Sequence, residues 1–165
     1  LLLSAAAMGA LESVLEDGRL NLINARALAA ARGMQLGAIE GAAGIAPYDF
    51  ELVMAAGAEE LLVAGTVPPS GTARLTRIGD FHVDVNPRHT LVILTNRDVP
   101  GVIGRVGTLL GGWGVNVSYM SVGSRPSARE QALMVLGMNR ALDATEIQTL
   151  LALDNISSAR QFDLG

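Results

Sequence analysis

The 165-residue chain has no cysteine and no lysine, only two histidines, and few aromatics: three phenylalanines, two tyrosines and one tryptophan. Without cysteine there is no thiol nucleophile, disulfide or thiolate metal site. Without lysine there is no Schiff base, no phosphate-loop amine and no lysine general base. Proton transfer is left to two histidines and 16 carboxylates, a narrow kit for an enzyme. Charge is also scarce, at 17% of residues, with 12 arginines and a net −4. That balance, with no basic stripe, speaks against nucleic acid as a partner. No apolar run reaches the length of a membrane span, since residues 1–11 are broken by Ser4 and Gly9, and no basic segment marks a signal peptide. No membrane partner is expected, and the missing cysteines fit a reducing, cytoplasmic setting.

What is present is apolar: 50% of the residues are hydrophobic, enough for a real core in one domain or two small ones. The chain opens on Leu1 directly into an apolar periodic segment, which reads as a piece of a longer polypeptide. Alanine is concentrated early, with 18 of 24 at or before Ala73, and the polar stretch Asn86-Pro87-Arg88-His89 marks a boundary. The expected domains are 1–87 and 88–165. In the first, helices are predicted over 1–16, ended by Asp17-Gly18, and over 24–32, with Asn24 as N-cap and Gly33 just past the end. Strands are predicted over 50–56, 60–67, 73–78 and 81–85, with a turn at 68–71.

The second domain alternates more cleanly. Strands are predicted over 90–95, 115–122, 132–138 and 158–164, a turn over 124–129, and helices from Pro100-Gly101 to Gly112 and over 143–152. The order βαββαβ predicts an α+β, ferredoxin-like unit, a four-stranded antiparallel sheet with two helices on one face. In its first helix Val102, Ile103, Val106, Leu109, Leu110 and Trp113 recur at helical spacing, so packing is their expected duty. The glycines at 101, 104, 107, 111, 112 and 114 have the wrong spacing for a dinucleotide loop, and close helix packing is the expected reason for them.

Chemistry concentrates in Asn96-Arg97-Asp98-Val99-Pro100-Gly101-Val102-Ile103 and Gly114-Val115-Asn116. A helix beginning at Pro100-Gly101 offers free N–H groups suited to a small carboxylate. Asp98 precedes that turn and suits an ammonium, and Asn116 can donate and accept. An anion hole beside a carboxylate is what an amino-acid zwitterion needs. The other reading is that Asp98 caps the helix and Asn116 holds a turn, the commoner use of such residues. Arg74 and Arg77 are candidates for an anion site, although an offset of three puts them on opposite strand faces unless a bulge intervenes, and a solvated pair is the commoner reading. His82 and Asp84 share a face and suit an acid–base couple or a surface pair. Neither histidine has metal-ligand spacing, and no catalytic or metal residue is assigned.

The segment 91–123, with Asn96-Arg97-Asp98-Val99-Pro100-Gly101 and Gly114-Val115-Asn116-Val117-Ser118-Tyr119-Met120, resembles an ACT domain, the small amino-acid-sensing module. Upstream, Asn21-Leu22-Ile23-Asn24-Ala25-Arg26-Ala27-Leu28-Ala29, Gly65-Thr66-Val67 and Arg74-Leu75-Thr76-Arg77-Ile78-Gly79-Asp80-Phe81 resemble the intervening, allosteric substrate-binding domain of long-form D-3-phosphoglycerate dehydrogenase. The resemblance covers nearly the whole chain. It implies a regulatory region of an NAD-dependent enzyme of serine synthesis, without its catalytic and NAD-binding domains, so that the chain itself holds no cofactor. It further implies L-serine or another small amino acid as effector and self-association through ACT modules. Carried over residue by residue, Asp98 takes the ammonium, the backbone at Gly101, Val102 and Ile103 the carboxylate, and Asn116 of the other subunit completes the site. Asn96, two residues before Asp98 on the same strand face, is a further contact. Val99 stands where the family commonly has arginine. The alternatives are a stand-alone amino-acid-sensing ACT protein or a serine dehydratase β-type chain.

Overall fold

The computed structural model describes residues 1–12, 14–15, 20–39, 48–69, 71–125 and 130–164. The chain forms two compact units, Leu1–Pro47 and Tyr48–Gly165.

In the first unit, α1 (Leu2–Glu12) and α2 (Ala25–Ala31) pack through small side chains, Ala7 and Leu11 against Ala25 and Ala29. Helix α1 stops at Glu12, short of the predicted end, and the expected Asp17-Gly18 terminator lies outside the described residues. Gly33 ends α2 as expected. Its φ is 77°, its N–H donates to Ala30 O at 3.0 Å, and Met34 N donates to Ala29 O at 3.0 Å. Asn24 occupies the N-cap position without capping. It sits in helical geometry, and its Oδ1 accepts from Asn21 N at 2.9 Å. Asn21 reaches forward instead, its Oδ1 accepting from Ile23 N at 2.9 Å and Asn24 N at 3.1 Å.

The second unit contains two sheets. β1 (Asp49–Ala56), β2 (Glu59–Thr66), β3 (Arg74–Ile78) and β4 (Phe81–Val85) form an antiparallel meander in chain order. Two of its hairpins turn on two residues, with Gly57 (φ 63°) and Gly79 (φ 55°) supplying the left-handed backbone. Then follow β5 (Thr90–Arg97), α3 (Val102–Gly112), β6 (Val117–Ser124), β7 (Gln131–Met138), α4 (Ala144–Leu151) and β8 (Ile156–Asp163). Their sheet has the order β6-β7-β5-β8 with every pair antiparallel, the predicted ferredoxin-like arrangement in an α+β protein. Of the predicted 124–129 turn, residues 126–129 lie outside the described residues. Residue 87, where a domain boundary was expected, lies between the two sheets but inside the second compact unit, and the division between units falls after Pro47.

Central strand β5 reads as an almost unbroken apolar run because both its faces are covered. Val92 and Leu94 pack with Val106 and Leu110 of α3 and Leu150 of α4. Leu91 packs on the other side with Phe81 and Val85 of β4. On α3 the buried residues are Val102, Val106 and Leu110, with Leu109 and Trp113 partly covered. Ile103, expected on that face, is 49% exposed, because it lies one residue, about 100° of rotation, beyond the buried row. The packing reason for the α3 glycines also fails: a Cβ at Gly104, Gly107, Gly111 or Gly112 would meet nothing within 4 Å. Nothing in the structure explains them.

Helix α4 starts with a capping box. Asp143 Oδ1 accepts from Glu146 N at 2.8 Å, and Glu146 Oε2 accepts from Asp143 N at 3.0 Å. Arg140 grips the same carboxylate at 2.7 and 2.8 Å. The Arg140 hydrogen bonds, then the Asp143 N–H, hold the Glu146 carboxyl down at about 2 instead of 4.5. A carboxylate whose pKa is lowered by folding stabilises the fold fully above its unfolded value and loses that contribution as pH falls through the folded one. The thermal unfolding midpoint is therefore expected to drop between about pH 4.5 and about pH 2, and the drop to be shallower in Glu146→Gln. Equal slopes in the two proteins would contradict this assignment.

Candidate functional site

Strand β5 ends at Arg97, and the chain is led from the sheet into α3 by two backbone bonds, Arg97 N to Asn155 O at 2.9 Å and Asp98 N to Glu130 O at 3.0 Å. Pro100 cannot donate, and Gly101 takes φ 91°, a conformation that favours glycine. Gly101 is the N-cap residue of α3, and no side chain caps it. The capping reading of Asp98 is thereby overturned, because Asp98 lies three residues before the position a cap must occupy. The first helical bond runs from Arg105 N to Gly101 O at 3.0 Å, so the N–H groups of Val102, Ile103 and Gly104 precede it without intrahelical acceptors.

These groups border a pocket of about 300 Å³. Asn96, Asp98, Val99, Pro100, Gly101, Val102 and Ile103 line it from one side, and Val122, Ala132 and Met134 from the sheet. The Asp98 side chain is exposed and makes no hydrogen bond or ion pair among the described residues. Asn96 is 4% exposed; its Nδ2 donates to Arg97 O at 2.7 Å, while its Oδ1 is buried without a partner among the described residues. The pocket thus joins a carboxylate, a helix start and an unpaired acceptor to an apolar wall of Val99, Ile103, Val122 and Met134.

Asn116 is elsewhere. It precedes β6, with its N–H donating to Asn139 Oδ1 at 2.9 Å and its carbonyl accepting from Asn139 N at 3.2 Å. Its neighbour Val117 pairs with Met138, whereas Val122 of the pocket pairs with Met134. Five residues of strand separate them, about 16 Å, more than a free amino acid spans. The structure therefore gathers Asn96, Asp98, Gly101, Val102 and Ile103 in one place and leaves Asn116 at the opposite end of β6.

Val122, Ala132 and Met134 were missed by sequence reasoning. Their signal was pairing: Asn96 stands opposite Ala132, Leu94 opposite Met134, and Met134 opposite Val122. Ala132, the smallest of these, leaves the space beside Asn96.

Arg74 and Arg77 are not brought together, although a register irregularity does lie between Leu75 and Arg77. Arg74 forms an ion pair with Asp84 at a second pocket of about 400 Å³ that includes Asn86, Tyr119 and Ser121. Arg77 Nε donates to Gly79 O at 2.9 Å, and its Nη2 lies 3.9 Å from Asp80. Asp84 is thus committed to Arg74 rather than to His82. Burial pushes the Tyr119 phenol up, with Arg74 opposing, so Tyr119 remains a donor at neutral pH. Among the described residues no three His, Asp or Glu side chains gather to hold a metal ion, and no helix is long and apolar enough to cross a membrane.

No protein-family model matches the chain. It is similar to D-3-phosphoglycerate dehydrogenases. With that of Synechocystis sp. it is 32% identical over 143 residues, which is 86% of this chain and 25% of the relative. With the chloroplastic D-3-phosphoglycerate dehydrogenase 2 of Arabidopsis thaliana it is 39% identical over 92 residues, 56% of this chain and 14% of the relative. With that of Bacillus subtilis it is 34% identical over 102 residues, 62% and 19% respectively. The chain spans a quarter or less of the length of these three proteins.

Proposed function

We propose that the chain is the regulatory part of a D-3-phosphoglycerate dehydrogenase and binds L-serine, or a close small amino acid, as a feedback effector at an ACT-type interface between two copies. NAD and the catalytic residues would belong to other parts of such an enzyme. The observation that carries the reading is the α3 pocket, where the Asp98 carboxylate, without a partner among the described residues, lies beside uncapped helix N–H groups. The amino acid's ammonium goes to Asp98, and its carboxylate to the N–H groups at Val102 and Ile103, aided by the helix dipole. The similarity to D-3-phosphoglycerate dehydrogenases supports this parent over a serine dehydratase chain.

The site is half-built in one chain, because Asn116 is too far away to reach the same ligand. A second copy related by a two-fold axis, with β6 edges running antiparallel, brings the start of one β6 to the end of the other. Met120 (38% exposed) and Val122 (46%) on that edge strand, with Val99 and Ile103 beside them, form the apolar surface that such pairing covers. Closing the pair on a ligand restrains the attached catalytic domains, which is how binding becomes inhibition.

Calorimetry with L-serine tests the reading. Binding is expected in the micromolar to low-millimolar range, roughly −4 to −8 kcal/mol. Asp98→Ala removes a charge-assisted hydrogen bond and is expected to weaken it roughly tenfold to a hundredfold. No heat from the wild-type chain, or equal affinity in the variant, sinks the assignment.

A further inference from the structure

Strand β6 touches two places at once. A register shift between Val117 and Tyr119 turns its alternation over. Beyond it, Met120 and Val122 lie on the face shared with Met134 and Leu136, and Val122 lines the α3 pocket. Residues 119, 121, 123 and 125 lie on the other face, against β4.

Their contacts run in antiparallel order along β4. Tyr119 Oη donates to Asn86 O at 2.7 Å. Ser121 Oγ accepts from Asp84 N at 3.1 Å. Gly123 lies so close to His82 that a Cβ there would stand 2.3 Å from the His82 carbonyl oxygen. Arg125 stacks over Phe81, 4.6 Å from the ring centroid. Strand β4 is the edge of the meander, so at Asp84 and just past its end at Asn86 the side chains of β6 bond backbone groups of an edge strand, a place that proteins otherwise protect by different means.

Three buried side-chain atoms lack partners among the described residues: Asn96 Oδ1, Asn86 Oδ1 and Arg125 Nε. Asn96 belongs to the pocket, while Asn86 and Arg125 sit at the two ends of the β4–β6 seam. Unpaired buried polar groups cost free energy, and among the described residues these three lie at the pocket and the seam.

We infer that β6 is a two-sided strut that carries occupancy of the α3 pocket to the free edge of β4, and so to the four-stranded meander. The inference rests on the pocket binding an amino acid, as proposed above. A ligand against Val122 pins β6, and the Gly123 contact leaves β6 no clearance to shift without displacing the β4 backbone. The seam then tightens, and the Asp84 N–H, held by Ser121, opens less often.

Amide hydrogen exchange of the full chain, with and without saturating L-serine, reads this directly. The Asp84 amide is expected to exchange at least about fivefold more slowly with L-serine. Tyr119→Phe deletes the hydroxyl that ties β6 to Asn86 while leaving the pocket and the Asp84 reporter in place. It is expected to keep the calorimetric heat with L-serine and to lose most of the protection change. Heat from L-serine with an unaltered Asp84 amide in the wild type overturns the strut alone, as does an undiminished response in Tyr119→Phe. Absence of heat in the wild type overturns the pocket reading and the strut with it.

Discussion

Gly123→Ala is expected to destabilise the second unit by about 3 kcal/mol, at the upper end of what overpacking by one methyl costs. The new Cβ would stand 2.3 Å from the His82 carbonyl oxygen and 3.0 Å from Val83 Cγ1. The first of these neighbours is backbone and cannot rotate aside. Strand β4 cannot retreat cheaply either, because Phe81 and Val85 anchor it in the core with Leu91, Leu133 and Val135. Gly107→Ala is the control of opposite sign. Its Cβ would meet nothing within 4 Å on an exposed helix face, so alanine there is expected to stabilise by about 0.5–1 kcal/mol. Urea unfolding followed by the fluorescence of Trp113, the single tryptophan, reports the second unit selectively. A Gly123→Ala midpoint equal to wild type would show that the two sheets are not locked at this contact.

The elements of the second sheet were legible because their patterns are local. Turn residues and short apolar runs placed the strands and helices within a few residues, and the βαββαβ order then leaves few topologies. The loop from Asn96 to Ile103 could also be read, since proline and glycine before an apolar helix carry their own backbone geometry. The role of Asp98 could not. Capping and ligand binding use the same residue type, and only the position of the cap at Gly101 separates them. Ile103 was misplaced because an apolar residue at the margin of a helical face has the same periodicity whether covered or bare. The β4–β6 seam was invisible for a different reason: Tyr119, Ser121 and Gly123 are ordinary strand residues, and what they touch depends on how two sheets meet. The bulge beyond Val117, which decides which face holds Val122, likewise depends on pairing with β7.

Separately made Asp98→Ala and Asn116→Ala chains are each expected to bind L-serine at least about tenfold more weakly than the wild type, and a refolded mixture of the two to regain a class of sites with wild-type affinity. Val117, the residue after Asn116, already lies about 16 Å of strand from Val122, so one chain cannot present both Asn116 and Asp98 to one amino acid. In a two-fold dimer each site takes Asp98 from one copy and Asn116 from the other. A mixed dimer then has one site lacking both residues and one site with both intact. With random pairing of equal amounts, half the dimers are mixed, so about a quarter of the wild-type sites return with wild-type affinity. Both residues are exposed and neither side chain holds the core, so each variant is expected to fold and its circular dichroism to match wild type. If Asn116→Ala binds L-serine as tightly as wild type, Asp98 and the helix start suffice within one chain and the second copy adds nothing to recognition. If both variants bind more weakly and the mixture regains no sites of wild-type affinity, the two residues do not meet across a two-fold axis. Recovery of the quarter identifies the ligand itself as the bridge between copies, the condition under which serine can draw two subunits together and hold them there.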